Sequence, residues 1–229
     1  MALILSIESA TSICSVALHR DGEMLLLSEY DQENAHARQL MLLIEGIFKE
    51  LGMKPADLAA VAVSSGPGSY TGLRIGVSVA KGLAFAFGLP FIAVDTLEGL
   101  ASQAFFLCGK NDFVIPLLDA RRMEVYTSVF DGAGKLIEPS HPLEIIENPF
   151  LNYHEIGKVY FLGDGLAKLT DILSHENAVF LPNLNSASSI GSLAFKKYLH
   201  NAFEDIAYFE PNYLKEFRVL TSKKNPLLL

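Results

Sequence analysis

Cysteine is scarce in this chain. Only Cys14 and Cys108 occur among 229 residues, so neither a disulfide framework nor a Cys-rich zinc site has its residues. Histidine offers no metal spacing either. The six stand at 19, 36, 141, 154, 175 and 200 with no HxxxH or HExxH pair, and no metal site is expected. Long apolar runs are missing. A membrane helix needs about 20 apolar residues, whereas the uncharged run Gly82–Val94 is shorter and is broken by Gly88 and Pro90. The opening MALILSIES has no basic region and reaches Glu8 early, so no signal peptide is expected, and the location reads as cytoplasmic. Clustered positive charge is also rare. The net charge is −8, and basic residues stand side by side only as the pairs Arg121–Arg122, Lys196–Lys197 and Lys223–Lys224. Such a chain is not the main holder of a nucleic acid, and any RNA would need a partner's positive surface.

What is abundant is apolar. Half the residues are hydrophobic and 19% are charged, below the roughly 25% of ordinary soluble domains. That fills a core and leaves apolar surface for something else. The length suits one or two domains.

The chain repeats itself. LILSIES, ICSVALHRDG and EMLLLSEY read as three strands, with Asp21–Gly22 as a hairpin turn. Residues 35–51 have helical spacing, 58–63 is a strand, and a Gly-rich turn opens a long helix to about Phe87. FIAVD is a strand, and residues 96–106 are predicted as a helix. The second half restarts with FVIPLLD, MEVYTSVFDGAG and KLIEP. A short helix within residues 143–155, the strand KVYFLGDG, a helix over 166–173, the strand VFLP and a helix over 188–198 follow. A shift of about 110 residues lays Glu8 on Asp119 and Asp21–Gly22 on Asp131–Gly132. The expected fold is α/β: two actin-like (ribonuclease H-like) halves from an internal duplication, with mixed sheets and helices on their faces. The halves are drawn as 1–108 and 109–229, with the 188–198 helix free to stay in its own half or cross to the first.

Between Ser64 and Gly76 lies SSGPGSYTGLRIG. Glycines between a strand and a helix can hold an anion on backbone N–H groups, or simply let the helix start tightly against the sheet. The spacing GxGxxxG with Pro67 does not fit a dinucleotide fingerprint, even though Asp95 stands where a ribose-binding acid would. No GK[ST] follows, so this is no Walker loop. Candidates for an anion or nucleotide contact are Glu8, Ser9 and Thr11 of the first loop, and Gly66, Gly68, Ser69, Tyr70, Thr71 and Arg74 of the second. In the other half Asp119, Arg121 and Arg122 join them; either the two arginines bind a carboxylate or phosphate, or an Asp–Arg pair braces the halves.

The helix from Leu73 to Phe87 carries only Arg74 and Lys81 as charges, in one stripe with Ser78. It is apolar nearly all round, the mark of a helix covered on two sides. Gly76, Ala80 and Ala84 would admit a second helix closely. Met41 and Phe48 add apolar surface on the preceding helix.

At this point the residues are familiar. ILSIESATSICSVAL, HARQLMLLIEGIFKELG, SSGPGSYTGLRIGVSVAKGLA and DARRMEVY resemble, in that order, the TsaB (YeaZ) family of tRNA threonylcarbamoyladenosine biosynthesis proteins. The likeness is strong over residues 3–130 and looser beyond. It implies the glycoprotease-like branch of the actin-like (ASKHA) superfamily. It also implies a non-catalytic subunit needed to threonylcarbamoylate adenosine 37 of ANN-reading tRNAs. That subunit would bind TsaD as a heterodimer, help recruit TsaE, form a homodimer when alone, and meet tRNA only through the complex. No tightly bound cofactor is implied, and the partner interface is a candidate place for an adenine nucleotide. Family pairing through the first two helices implies partner contacts by His36, Leu40, Met41 and Phe48, and by Leu73, Gly76, Val77, Ala80, Leu83, Ala84 and Phe87. In TsaD a histidine pair on the first helix binds metal; here His36 is followed by Leu40 at the second position. The chain departs from the family at Glu8, where Asp is usual, and at Lys215, where Arg is common. The competing readings are a self-sufficient ATP-binding or ATP-hydrolysing enzyme of the same superfamily and, more remotely, a metallopeptidase.

Overall fold

The structure is a computed structural model that describes residues 1–32 and 36–215. Three strands open the chain: β1 (Leu3–Glu8), β2 (Ile13–Arg20) and β3 (Glu23–Asp31). The β2–β3 turn puts Asp21 at φ 52 and Gly22 at φ 88, the left-handed pair that a two-residue hairpin needs. The Asp21 carboxylate accepts the Ala2 N–H at 2.7 Å. Then come α1 (His36–Leu51), β4 (Ala60–Ser64), α2 (Tyr70–Phe87), β5 (Phe91–Val94) and α3 (Thr96–Ser102). The second half runs β6 (Phe113–Asp119), β7 (Glu124–Asp131), β8 (Leu136–Glu144), α4 (Leu151–His154), β9 (Val159–Leu162), β10 (Ala178–Phe180) and α5 (Ala187–Leu199).

The two sheets have one topology. The first is ordered β3-β2-β1-β4-β5 and the second, read from its far edge, β8-β7-β6-β9-β10. In each, the opening meander is antiparallel and the next two strands add in parallel. The duplication is therefore real at the level of pairing, and the fold is the expected two-lobed actin-like α/β.

The halves differ in their crossovers. On the first sheet α1 and α2 cover Leu3, Leu5, Ile7, Cys14, Val16, Leu18, Val61 and Val63. Between β8 and β10 the second half has only the single turn α4 and a 3-10 turn at Asp164–Lys168. The helix expected over 166–173 is thus corrected. Leu169 and Leu173 are buried against the sheet, but two anchors in so short a segment do not offset helix nucleation. The helix expected over 143–155 forms only after Pro149. The one over 96–106 stops at Ser102 and gives way to a 3-10 turn at Phe105–Leu107.

The last helix of each half crosses over. α3 packs Leu97, Leu100 and Ala101 on Val114, Leu118 and Leu162 of the second sheet. α5 packs Ile190, Leu193 and Ala194 on Ile4, Ala62, Ile92 and Val94 of the first. Gly191 makes this seating possible, since a Cβ there would lie 2.1 Å from the His19 ring. His19 Nε2 meets the Ser188 carbonyl at 3.1 Å, and Ser15 Oγ accepts the Ala187 N–H at 2.8 Å.

Candidate functional site: the outer face of two helices and a filled loop

α2 begins where Ser69 caps it, its hydroxyl accepting the Gly72 N–H at 3.2 Å. It ends at Gly88 in the left-handed conformation, φ 62, a common helix stop. Its sheet-facing stripe is Leu73, Gly76, Val77, Ala80 and Ala84, all buried. On α1 the buried stripe is His36, Leu40, Ile44, Ile47 and Phe48.

This corrects most of the partner-contact set. His36, Leu40, Phe48, Leu73, Gly76, Val77, Ala80 and Ala84 lie inside the chain's own first half, and only Met41, Leu83 and Phe87 reach the surface. Gly76 admits not a second helix but the chain's own first loop, and Ala80 and Ala84 lie in the core of the first half. A Cβ at Gly76 would stand 2.1 Å from Ser9 Oγ.

The expected set includes Met41 and Leu83 of the outward surface but not Leu42 or Phe85. Phe85 is 82% exposed and Leu42 58%. Met41, Leu42, Glu45, Lys49, Pro55 and Leu83 rim a groove of about 480 Å³ that Ile44 and Phe48 also line. One signal could have found it. Arg74 and Ser78 mark the outer stripe of α2, and Phe85, seven residues after Ser78, shares it.

The first loop and the Gly-rich turn are packed into each other. Ser69 N–H donates to the Ala10 carbonyl at 2.7 Å, and Ser9 Oγ donates to the Gly72 carbonyl at 2.9 Å. A Cβ on Gly72 would lie 2.1 Å from the Ser9 carbonyl oxygen, and one on Gly68 2.5 Å from that of Ala10. Gly66 is pressed by the Asn212 carbonyl, at 2.6 Å from its would-be Cβ. These glycines make room for the protein's own backbone.

Glu8 is turned inward. It is 1% exposed and accepts the Ala10 N–H at 2.7 Å and the Ser64 hydroxyl at 2.8 Å. Burial pushes its carboxyl up to about 7, outweighing the bonds from Ala10, Ser64, Ser9 and Asn185 that favour the charged form. Thr11 Oγ1 accepts the Ile13 N–H at 3.3 Å. Asp95 has a capping role: one oxygen accepts Leu97 and Glu98 N–H at the start of α3, at 2.9 and 3.0 Å, and the other accepts Ser140 Oγ–H at 3.3 Å.

In the second half the Asp–Arg pair is replaced by another. Asp119 accepts Lys168 Nζ and the Arg121 backbone N–H. The Arg121 and Arg122 side chains are exposed, on a turn with φ 70 and 51. The segment after α5 ties the regions together. Lys81 donates to the Phe209 carbonyl at 2.6 Å, Asn212 N–H to the Ser65 carbonyl at 2.7 Å, and Tyr213 packs on Tyr70 with ring centroids 4.7 Å apart. Arg74 lies 4.1 Å over the Tyr70 ring, and Lys215 pairs with Glu124. Thr71 is exposed beside Arg74.

Comparison with known proteins fits this architecture. Residues 30–221 match the family described as TsaD: tRNA N6-adenosine threonylcarbamoyltransferase. The chain is similar to the tRNA threonylcarbamoyladenosine biosynthesis protein TsaB of Escherichia coli, 29% identical over 93% of this chain and 94% of that one. It is also similar to the TsaB of Bacillus subtilis, 36% identical over 61% of this chain and 59% of that one. The solved structure of YeaZ from Pseudomonas aeruginosa superposes with TM-score 0.80 at 28% identity, over 93% of this chain and 100% of that one. The chain therefore belongs to the TsaD family of tRNA N6-adenosine threonylcarbamoyltransferase-like proteins, on its TsaB (YeaZ) side.

Proposed function

We propose that this chain serves tRNA threonylcarbamoyladenosine biosynthesis as a non-catalytic binding subunit acting in the cytoplasm. It pairs with a TsaD-type transferase through the outer face of α1 and α2, helps that pair recruit TsaE, and forms a homodimer through the same face when alone. The modification of adenosine 37 in ANN-reading tRNAs is then chemistry done on the partner.

The observation that carries this reading is the apolar groove between Met41, Leu42 and Leu83, with Phe85 exposed elsewhere on α2. An apolar patch of this kind on a folded chain marks a protein contact. The packing of the first loop supports the non-catalytic part. Ser9 and Ala10 stand against the Gly-rich turn, and Glu8 is spent on Ala10 and Ser64. Any adenine nucleotide is placed at the partner interface, outside this filled turn. The names of the similar TsaB proteins set the pathway.

The test is reconstitution with TsaD and TsaE of the same organism, assaying threonylcarbamoyl transfer to an unmodified ANN-reading tRNA transcript and sizing each mixture. A complex with TsaD and a requirement for both chains are expected. Transfer or steady ATP hydrolysis by this chain alone would replace the reading with that of a self-sufficient enzyme.

A further inference from the structure

We propose that Glu8 is a proton-operated catch for α5, the helix that crosses from the second half to the first. Its protonated carboxyl holds the N-terminal end of α5 on the first sheet, and its carboxylate lets that end lift away.

The start of α5 is fastened to the first sheet at four points. The Ser186 hydroxyl donates to the Glu29 carboxylate at 2.7 Å, Ser15 Oγ accepts the Ala187 N–H at 2.8 Å, and His19 Nε2 meets the Ser188 carbonyl at 3.1 Å. Asn185, 2% exposed, is the fourth. Its amide reaches the Glu8 carboxyl, and its Nδ2 donates to the Thr96 carbonyl at 3.4 Å. Asn185 Oδ1 is buried with no hydrogen-bond partner among the described residues. A half-turn of the amide presents that oxygen to Glu8, where only a protonated carboxyl has an O–H to give it. Glu8 Oε1 already accepts both the Ala10 N–H and the Ser64 O–H, so the proton belongs on Oε2.

The cover over Glu8 has one side that can move. Ser9 and Ala10 are held on the Gly-rich turn by the Ser69–Ala10 and Ser9–Gly72 bonds, and β1 and β4 are interior strands of their sheet. What remains is the segment Asn185–Ser188, which arrives from the other end of the chain. Burial works against the carboxylate more strongly than its four bonds favour it. Ionisation therefore favours the arrangement in which this segment has lifted and water reaches Glu8.

Other charged and titratable groups surround the seat. On β2 the Cys14 thiol, pushed up to about 11 by burial and the Glu8 charge, stays neutral. Burial lowers the His19 imidazole against the Ser188 bond and the Glu23 charge, so its contribution is present above 6.5 and is lost as pH falls below it. Glu29 belongs to β3, Asp95 and Glu98 to the start of α3, and Lys196 and Lys197 to α5 itself. The sheet-facing stripe of α2 carries no charge. A Glu8→Gln variant keeps all of these groups, so comparison with it isolates Glu8.

The test follows amide hydrogen exchange by NMR at pH 6 and pH 8 in the parent and in Glu8→Gln. Opening constants are derived for Ile190, Gly191 and Leu193 of α5 and for Ile115 and Leu117 of β6. A carboxyl at 4.5 when uncovered and about 7 when covered makes the parent-to-variant ratio of α5 opening constants rise about tenfold between the two pH values. Low urea is expected to leave the opening of α5 unchanged while it speeds that of β6, because the lift exposes less surface than unfolding of the whole chain. A ratio that does not change with pH, or α5 amides that respond to urea as those of β6 do, would overturn the proposal. If the variant does not fold, carbon-13 titration of the parent's Glu8 carboxyl decides the matter. A midpoint of about 7 is expected, and one below about 5, close to an ordinary glutamate, rejects the catch.

Discussion

Single groups set the pH response of this protein. Glu8 is buried and its carboxyl is raised from 4.5 to about 7, so the folded state holds its proton more tightly than the unfolded chain does. That contribution is fully present below the unfolded value of 4.5 and is lost as pH rises through 7. A shift of this size corresponds to roughly 3 kcal/mol. Glu8→Gln keeps the acceptor for Ala10 and Ser64 without the charge. Its melting temperature is expected to exceed the parent's at pH 8 and to flatten between pH 5.5 and 8, read by circular dichroism. An equal decline in both proteins would mean that Glu8 is not the group responsible. Histidine acts on the other limb. His154 is 1% exposed, and burial and then the charge of His175, stacked at 4.3 Å, lower its pKa. Its folded value lies below 6.5, so its contribution is present above 6.5 and is lost as pH falls below it. His154→Leu is expected to remove part of the acid destabilisation between pH 6.5 and 5, seen as a shallower fall in melting temperature. The two trends oppose one another in the weakly acidic range, and above 6.5 only the decline from Glu8 remains. None of this was legible in the sequence, because Glu8 at a strand end and a lone His154 show nothing of their burial.

Elements show which face of a helix a sequence pattern can assign. α2 is apolar all round in sequence, and its small residues suggested an outward helix contact. The sheet and the Ser9 loop claim that stripe instead, and at Gly76 only glycine fits, since a Cβ would stand 2.1 Å from Ser9 Oγ. Gly76→Ala is accordingly expected to destabilise by about 2 kcal/mol or more, measured by urea unfolding. Ala80→Asp would bury an unpaired carboxylate at a fully buried position and is expected to prevent folding. The outward positions behave differently. Met41→Asp and Phe85→Asp place charge on exposed apolar sites, where stability should move by about 0.5 kcal/mol or less. Association with TsaD, followed by calorimetry, should weaken tenfold or more. An unchanged affinity in both variants would move the interface off this face.

At the scale of the whole molecule the halves are interlocked. α5 supplies the cover for Ile4, Ala62, Ile92 and Val94 of the first sheet, and α3 covers Val114, Leu118 and Leu162 of the second. A fragment of residues 1–108 keeps α3 but loses α5, leaving one sheet face bare. It is expected to lack a cooperative thermal transition and to bind a hydrophobic dye, while mixing with 109–229 restores a single transition. A fragment that melts cooperatively alone would show that the exchange of helices is not needed for folding. The same interlocking argues against treating 1–108 and 109–229 as independent units.

The sequence by itself determined the succession of strands along the chain and the duplication. Alternation in LILSIES and FVIPLLD, the Asp21–Gly22 turn and the 110-residue shift are local patterns, and local patterns survive without the fold. It also showed that apolar surface exceeded the needs of one half. What only the tertiary structure decided was where each surface goes. Ser9 and Ala10 meet Gly68, Gly72 and Gly76 across some 60 residues of chain, and α5 reaches Ile4 from the far end. Asp119 pairs with Lys168 rather than with the arginines that follow it in sequence. A pattern records what a residue can bury or bind, whereas the neighbour that claims it is fixed by contacts distant in sequence.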